Sequence, residues 1–286
     1  MTTFENHSNQ IALKLDGHEK RHGIVSLSTG ATHPNMVREP YFLLNVYRVL
    51  AHGKLWTIAR DEPFETERTE TGMTLHWQPT ETLPLEMRAQ YEVEGDSVVS
   101  LRFWIRAARD LSQLEISISS YFDFAFEPYG VLNLPSQDAS PETQPTLWKA
   151  EDQPFVRGHY IHLSRDDAAS ITRMDGRWND ANGNSQAPAV YGPHYGAPVA
   201  IMAATNLENS SGEAGVFVVQ STSREVCSGI SLTYSSDNEQ DNIRNHNATY
   251  FSLFGEDLKQ GEEREAVIRQ EVLRGKPTIE IAGLTK

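Results

Sequence analysis

Residues 85–93 read LEMRAQYEV, residues 99–106 read VSLRFWIR, and residues 114–127 read LEISISSYFDFAFE. In each of these stretches apolar and polar side chains alternate with a period of two. Successive side chains of a β-strand point to opposite faces of a sheet, so this period is typical of strands with one apolar face. Three such strands separated by short turns predict an antiparallel sheet that is buried on one face.

Short β-prone runs, separated by Gly, Pro, Asn and Asp, continue to the end of the chain. Residues 216–220 form a nearly continuous apolar run, which favours a strand buried on both faces, and residues 266–273 alternate again. We find no long amphipathic helix with recognisable caps. The pattern predicts an all-β fold, a large antiparallel β-sandwich. Because such folds often form one domain of roughly 200–250 residues, we expect residues 1–286 to form a single domain.

The composition argues against several classes of function. The chain has 39 acidic and 25 basic residues and a net charge of −14. Nucleic acids and anionic membranes attract basic surfaces, so we expect neither as a partner. No apolar run approaches the roughly 18 residues of a membrane span, and residues 1–10 do not resemble a signal peptide. The single cysteine, Cys227, cannot form an intrachain disulfide, and we expect the protein in the cytoplasm.

The sequence predicts no metal ion and no cofactor. His159 and His162 are three residues apart, and on a strand this spacing points them to opposite faces, where they cannot share an ion. We find no Cys-x-x-Cys or His-Glu-x-x-His motif, and the glycines form no phosphate-binding loop.

The polar faces of the alternating strands predict a binding surface. If the strands are neighbours in sequence order, His76, Arg102 and Trp104 join Tyr121 and Asp123 on one side of a sheet. Aromatic rings stack on sugars, and charged groups bind pairs of hydroxyls. We therefore interpret Arg102, Trp104 and Tyr121 as substrate-binding residues, and His76 and Asp123 as catalytic residues. The alternative is an ordinary solvated sheet face.

Three polar residues near the N-terminal prolines are further candidates for substrate binding. His33, Arg38 and Arg60 lie in segments that the sequence assigns to loops, and loops carry function disproportionately. We interpret them as a clamp for hydroxyl or carboxylate groups. Ordinary turn chemistry around the prolines is the alternative.

A loop rich in Gly, Pro and Asn is predicted at residues 178–198, and a second loop at residues 134–146. Long loops in a compact domain are often functional. In the first of them, Tyr191 and Tyr195 are candidate substrate-binding residues, and His194 is a candidate catalytic residue because histidine titrates near neutral pH.

The segment Ser119-Ser120-Tyr121-Phe122-Asp123 resembles the His-Ser-Tyr-Phe-Asn strand of the galactose mutarotase (aldose 1-epimerase) superfamily. Leu258-Lys259-Gln260-Gly261-Glu262 is similar to the Leu-Lys-Pro-Gly-Glu turn of that family. The resemblance implies a supersandwich, which is a large antiparallel sandwich with a concave sugar-binding face. In the family the motif histidine protonates the ring oxygen of the sugar. Ser119 stands in its place here, and a serine hydroxyl is a poor acid at neutral pH.

These observations predict a carbohydrate-active protein that binds a monosaccharide or the end of a short saccharide, and three functions stay open. One is a sugar epimerase or isomerase in which His76, His194 or His33 is the acid or base. The second is a non-catalytic carbohydrate-binding protein, which the missing motif histidine favours. The third is an interaction protein whose exposed sheet face forms a homodimer.

Overall fold

The computed structural model of the protein describes residues 2–8, 10–18, 21–29, 35–135, 143–149, 159–169, 189–204, 215–234 and 247–280. Most of these residues lie in strands, and a short 3-10 helix follows β5 at Ala59–Asp61. The strands are β1 (Thr3–His7), β2 (Ala12–His18), β3 (Arg21–Ser28), β4 (Asn45–Ala51), β5 (Lys54–Ile58), β6 (Glu65–Arg68), β7 (Gly72–Trp77), β8 (Leu85–Glu94), β9 (Val98–Ala107), β10 (Leu111–Phe122), β11 (Phe126–Pro135), β12 (Thr143–Lys149), β13 (His159–Ser164), β14 (Ala189–Tyr191), β15 (Tyr195–Ala204), β16 (Val216–Ser221), β17 (Cys227–Tyr234), β18 (Asn247–Leu258) and β19 (Glu263–Arg274).

The strands form three sheets. The largest has the order β12-β11-β15-β16-β19-β9-β8-β7-β6, the second has the order β14-β13-β17-β18-β10-β4-β5, and β1-β2-β3 form a small third sheet. All pairings are antiparallel except that of β13 with β14. One cluster of buried apolar side chains includes Leu75 and Phe103 from the nine-stranded sheet, Ile116 and Leu253 from the seven-stranded sheet, and Leu15 from the small sheet. The two large sheets therefore pack face to face, which confirms the predicted all-β antiparallel sandwich.

The predicted alternation of β8 and β9 is confirmed by their burial. Met87 and Ala89 of β8 and Phe103 of β9 are fully buried, whereas Arg88 and Arg102 are exposed. These strands pair in register, with Arg88 opposite Trp104. Their polar side chains therefore form the solvent side of the nine-stranded sheet, which we call the outer face.

Strand β10 differs from the prediction of a half-exposed strand, because both of its faces are buried. Ile116 and Ile118 point into the sandwich core, and Ser117 and Ser119 on the opposite face are also inaccessible to water. The apolar run at 216–220 is a strand buried on both faces, as predicted. Alternation thus correctly separates the two faces of β10 but does not show that the polar one is covered.

The two predicted loops are shorter than the sequence indicated. Residues 134–135 belong to β11 and residues 143–146 to β12, while residues 136–142 lie outside the described part. In the loop predicted at residues 178–198, β14 and β15 take up residues 189–191 and 195–198, and residues 178–188 lie outside the described part. No helix within the described ranges is long and apolar enough to span a membrane.

Candidate functional site

The residues predicted to form one polar surface lie on two different sheets. His76 is on β7 and Trp104 on β9 of the nine-stranded sheet, whereas Tyr121 is on β10 of the seven-stranded sheet. After β9 the chain crosses to the other sheet, because β10 pairs with β4 and β18 instead of β9. The apolar faces of both sheets share the core, so the polar faces point away from each other. The prediction of a single surface is therefore wrong.

The polar face of the seven-stranded sheet, which we call the tyrosine face, combines aromatic and hydroxyl side chains. In the strand register His162 lies opposite Ser231, Ser231 opposite Tyr250, and Tyr250 opposite Ser119. The residues of this face used below are Tyr47, Arg48, Glu115, Ser117, Ser119, Tyr121, Tyr160, His162, Ser231, Tyr250 and Ser252.

A row of tyrosine rings crosses this face from the surface to the interior. The ring centroids of Tyr41 and Tyr121 are 4.8 Å apart, those of Tyr121 and Tyr250 are 5.6 Å apart, and those of Tyr250 and Tyr160 are 5.4 Å apart. The Tyr250 hydroxyl donates to the Tyr160 hydroxyl at 3.4 Å. Tyr41 is 38% exposed, whereas Tyr121 and Tyr250 are buried. The face is therefore most accessible at its Tyr41 end.

Two arginines lie against the tyrosines. The Arg60 guanidinium is 4.4 Å from the ring centroid of Tyr47 and 5.4 Å from that of Tyr41. Arg48 Nη2 donates to the Tyr47 hydroxyl at 3.1 Å. Tyr47 is the extra residue of a β-bulge, because Ser117 pairs with Arg48 and Ile118 with Val46. A bulge re-aims side chains, and here both Tyr47 and Arg48 reach the tyrosine face.

The charge state of this face is fixed by burial and by neighbouring oxygens. Burial raises the pKa of the Tyr121, Tyr160 and Tyr250 hydroxyls above their ordinary value, so all three stay protonated at neutral pH. Burial of Arg48 opposes its charge, but the adjacent tyrosine oxygens, that of Tyr47 first, raise its pKa overall. The tyrosines are hydrogen-bond donors and Arg48 is a permanent cation.

Three serine hydroxyls on the tyrosine face lack a partner in the described part of the chain. Ser117 and Ser119 of β10 and Ser252 of β18 are buried, and their Oγ atoms make no hydrogen bond. A buried hydroxyl without a hydrogen bond costs about 1–3 kcal/mol. Ser117 lies directly opposite Ser252 in the pairing of β10 with β18, so these unsatisfied hydroxyls are neighbours beneath the tyrosine face.

The sequence matches no protein-family model and no curated protein. The structure does resemble solved structures. Galactose 1-epimerase from Lactobacillus acidophilus NCFM matches with a TM-score of 0.50 and 9% identity, over 96% of this chain and 94% of that one. A GalM/aldose epimerase homologue from C. elegans has a TM-score of 0.46 and 9% identity, over 96% of this chain and 99% of that one.

The chain has the galactose mutarotase-like fold. The resemblance inferred at residues 119–123 and 258–262 is thereby confirmed for the fold. At 9% identity the likeness shows the fold and assigns no role to any residue.

Within the mutarotase-like fold, two of the predicted residues meet on the tyrosine face. These are Tyr121 in the aromatic row and Arg60 beside Tyr47. The backbone amide of Arg38 donates to the Tyr121 carbonyl at 2.9 Å, which places residues 38–41 at the accessible end of that row. His33 and the side chain of Tyr191 lie outside the described residues.

The three residues predicted to be catalytic do not come together. His76 Nε2 lies 3.0 Å from Glu86 on the outer face. His194 pairs with Asp167 at 3.2 Å in the connection between β14 and β15. Asp123 follows β10 and accepts the Ala125 amide at 3.0 Å, which closes the turn into β11. No hydrogen bond or ion pair joins any two of the three catalytic candidates in the described part.

Tyr195 is a core residue. Its ring is buried among apolar side chains, and its hydroxyl donates to the carbonyl of Cys227 at 2.7 Å. We therefore leave it out of the site. Within the described ranges, no group of three or more His, Cys, Asp or Glu side chains is placed to hold a metal ion.

The sequence did not single out Tyr47, Tyr160 or Tyr250. Each lies on a strand with at least one partner that is distant along the chain. Strand β18, which carries Tyr250, pairs with β10 from more than 100 residues away. A local signal was present in the segment 249–252, where Tyr250 and Ser252 share one face. That signal indicates a polar face but not which other strands share it.

Proposed function

We propose that the protein is a carbohydrate-binding protein whose ligand, a monosaccharide or the end of a short saccharide, lies on the tyrosine face. The observation that carries the proposal is the set of buried serine hydroxyls without partners beside a row of tyrosine rings. Ser117, Ser119 and Ser252 are inaccessible to water, so a ligand reaches their Oγ atoms only when the side chains that cover them move aside. Sugar hydroxyls both donate and accept hydrogen bonds and can then satisfy these three Oγ atoms.

The aromatic and cationic side chains supply complementary contacts for such a ligand. Tyr41 is 38% exposed and is packed against the buried ring of Tyr121, so its outer ring face is where a pyranose C–H face can stack. Arg60 has no acidic partner among the described residues, so its fork of N–H donors can bind adjacent sugar oxygens or a carboxylate.

We propose binding without mutarotase-type turnover, for two reasons. Ser119 cannot act as the general acid, and burial raises the pKa of the Tyr121, Tyr160 and Tyr250 hydroxyls, which makes them poor acids at neutral pH. Among the described strand residues, the carboxylate of Glu115 and the imidazole of His162 are the remaining candidates on this face. Glu115 is four residues from Ser119 along β10, and His162 is three strands from Ser119 across the sheet. The backbones of Glu115 and His162 are therefore roughly 19 Å apart. Proton transfer at one sugar carbon needs both groups at a single pocket.

Arg60→Gln is expected to weaken ligand binding at least tenfold, because it removes the cation beside Tyr47 and Tyr41. The measurement is a thermal-shift screen with neutral sugars, uronic acids and sugar phosphates, followed by calorimetric titration of the best ligand. Arg109→Gln is the matched control, because Arg109 makes a similar contact, 4.7 Å from the Trp56 ring, away from this face. If no ligand raises the melting temperature, or if both variants bind as the wild type does, the proposal is wrong.

Ser119→Ala is expected to change stability and binding in opposite directions. Without ligand, removal of an unsatisfied buried hydroxyl should raise the free energy of unfolding by up to about 1 kcal/mol. The same change should weaken ligand binding, because one hydrogen-bond partner of the sugar is lost. Urea unfolding and calorimetry measure the two effects. A variant that is destabilised and binds normally would indicate a purely structural hydroxyl.

Turnover is tested separately by following the interconversion of sugar anomers by polarimetry. We expect the rate with protein to equal the rate in buffer. Acceleration by the wild type that is lost in His162→Gln would replace the binding proposal with an isomerase.

A further inference from the structure

The outer face of the nine-stranded sheet carries an ordered cluster around Glu86. Its carboxylate is 3.0 Å from His76 Nε2 and 3.2 Å from Arg88 Nη2, and it also pairs with Arg106. The Glu86 side chain is only 8% exposed. Burial opposes its ionisation, but the hydrogen bond from His76 and the charge of Arg106 outweigh burial and lower its pKa. Glu86 is therefore an ionised anchor beneath the surface of this face.

The arginines of this cluster are held in place but keep free donors. The guanidinium groups of Arg88 and Arg106 lie 5.2 and 5.9 Å from the ring centroid of Trp104. Arg102 Nη1 donates to Glu265 at 2.6 Å. Each of the three arginine side chains is about half exposed, at 50–55%. A guanidinium has five N–H donors, so each of these half-exposed arginines keeps donors that can bind a ligand.

Two adjacent clefts run across these side chains. One has a volume of about 260 Å³ and the other about 310 Å³, and they share Thr74 and Arg88. The second cleft is lined in addition by Gln90, Arg102, Trp104 and Glu265. Together the clefts cross five neighbouring strands, from β6 to β19. At about 4.8 Å per strand this is roughly 19 Å, an open groove longer than one sugar ring.

We propose that this groove is a second carbohydrate-binding site, which takes a segment of an extended neutral saccharide. Planar side chains such as Arg88, Arg102 and Gln90 can hydrogen-bond pairs of vicinal hydroxyls. Because the Glu86 cluster holds two of the arginines in place before binding, little side-chain freedom is lost when the ligand binds. The groove is shallow and open, which suits an extended saccharide that continues beyond it.

The charges of the groove select a neutral ligand. Arg88, Arg102 and Arg106 are balanced by the carboxylates of Glu86 and Glu265 and by those of Glu65 and Glu67 in the first cleft. The chain also carries a net charge of −14. A polyanion would gain no net attraction here. The groove lies on the opposite side of the sandwich from the tyrosine face, so this inference does not depend on the proposed function.

The test is affinity gel electrophoresis of the full chain against soluble neutral polysaccharides (glucans, galactans, mannans and xylans), with alginate as the acidic probe. We expect at least one neutral polysaccharide to retard the wild type. Arg102→Gln and Trp104→Ala should each lower the association constant tenfold or more. Circular dichroism verifies folding, and Arg102→Gln keeps the test valid if Trp104→Ala does not fold.

Arg269→Gln is the matched control on the same sheet. Arg269 pairs with Glu94 and Glu271, both at 3.3 Å, and its side chain is 46% exposed, but it does not line either cleft. This variant should bind as the wild type does. No retardation by any neutral polysaccharide, retardation by alginate alone, or an equal loss in Arg269→Gln would overturn the inference. Arg60→Gln should keep this binding while losing the monosaccharide thermal shift, so the two sites fail separately.

Discussion

Replacing Gly23 with alanine is expected to lower the free energy of unfolding by about 3 kcal/mol. Gly23 of β3 has φ +105°, a conformation that residues with a Cβ rarely adopt. A Cβ atom there would also lie 2.4 Å from the carbonyl oxygen of Leu43. The adjacent Ile24 and Leu43 exchange two backbone hydrogen bonds, each 3.0 Å long. The added methyl group would separate this pair and loosen the small sheet from the sandwich.

Urea unfolding of Gly23→Ala and of Gly95→Ala separates the cost of a positive φ from the cost of the close contact with Leu43. Gly95 also has a positive φ, +64°, but a Cβ there would meet nothing within 4 Å. Gly95→Ala should therefore cost only the backbone term, about 1 kcal/mol. If the two variants lose the same free energy, the close approach of Leu43 contributes nothing to the need for glycine at position 23.

Much of the fold can be predicted from local alternation, because the polar or apolar character of each residue indicates which face of its strand is buried. In β8 and β9, the side chains of Met87 and Phe103 are buried and those of Arg88 and Arg102 are exposed, as the sequence predicts. These two strands are also sequence neighbours and pair with each other. For them the pattern gives both the face and the partner.

Alternation does not show where the chain changes sheets. The turn after β9 has three residues, as does the turn before it. Yet β10 pairs with β4 and with β18, which are about 70 and more than 100 residues away. Such pairings depend on long-range packing of both faces of β10. The sequence therefore predicts that Ser119 and Tyr121 share a face but places them beside the wrong neighbours.

The same limit applies to the candidate sites. Arg60 and Tyr121 were found from their local context, but the rings that accompany them, Tyr47 and Tyr250, come from β4 and β18. His76 was found from its strand face, while its partner Glu86 is on the next strand, opposite Arg106. Contacts between neighbouring strands are within reach of sequence reasoning. Contacts that depend on the sheet order β14-β13-β17-β18-β10-β4-β5, in which distant strands are neighbours, cannot be derived from the local sequence.

Acidification is expected to destabilise the protein through His22. The ring is fully buried, with its centroid 5.4 Å from that of Phe64 and 5.3 Å from that of Trp77, and Nε2 accepts the Val46 amide at 2.9 Å. Burial first, and the positive charge of Arg60 second, lower the pKa of His22 from 6.5 to about 3. In the unfolded chain the same imidazole takes up its proton near pH 6.5.

The sign of the effect follows from which state binds more protons. Between pH 6.5 and about 3 the unfolded state holds the His22 proton and the folded state does not. Stability from this group is therefore complete above pH 6.5 and decreases as the pH falls, by up to about 1.4 kcal/mol per pH unit. Between pH 6.5 and 4.5 we expect a loss of about 2–3 kcal/mol, measured by urea unfolding at several pH values.

His22→Gln isolates this contribution, because its amide oxygen can still accept from Val46 but takes up no proton. Carboxylates titrate in both proteins, so their effects cancel when the free energy of unfolding of His22→Gln is subtracted from that of the wild type at each pH. This difference should decrease by about 2–3 kcal/mol from pH 6.5 to 4.5. His52→Gln is the control, since that imidazole is exposed and contacts Trp56 at 5.4 Å between ring centroids; it should keep the wild-type pH dependence. Parallel curves for the wild type and His22→Gln would mean that folded His22 accepts a proton, which would place two donors, Nε2–H and the Val46 amide, against each other. The pH dependence therefore tests whether the buried hydrogen bond from the Val46 amide to His22 Nε2, which links β4 to β3, is present in the folded protein.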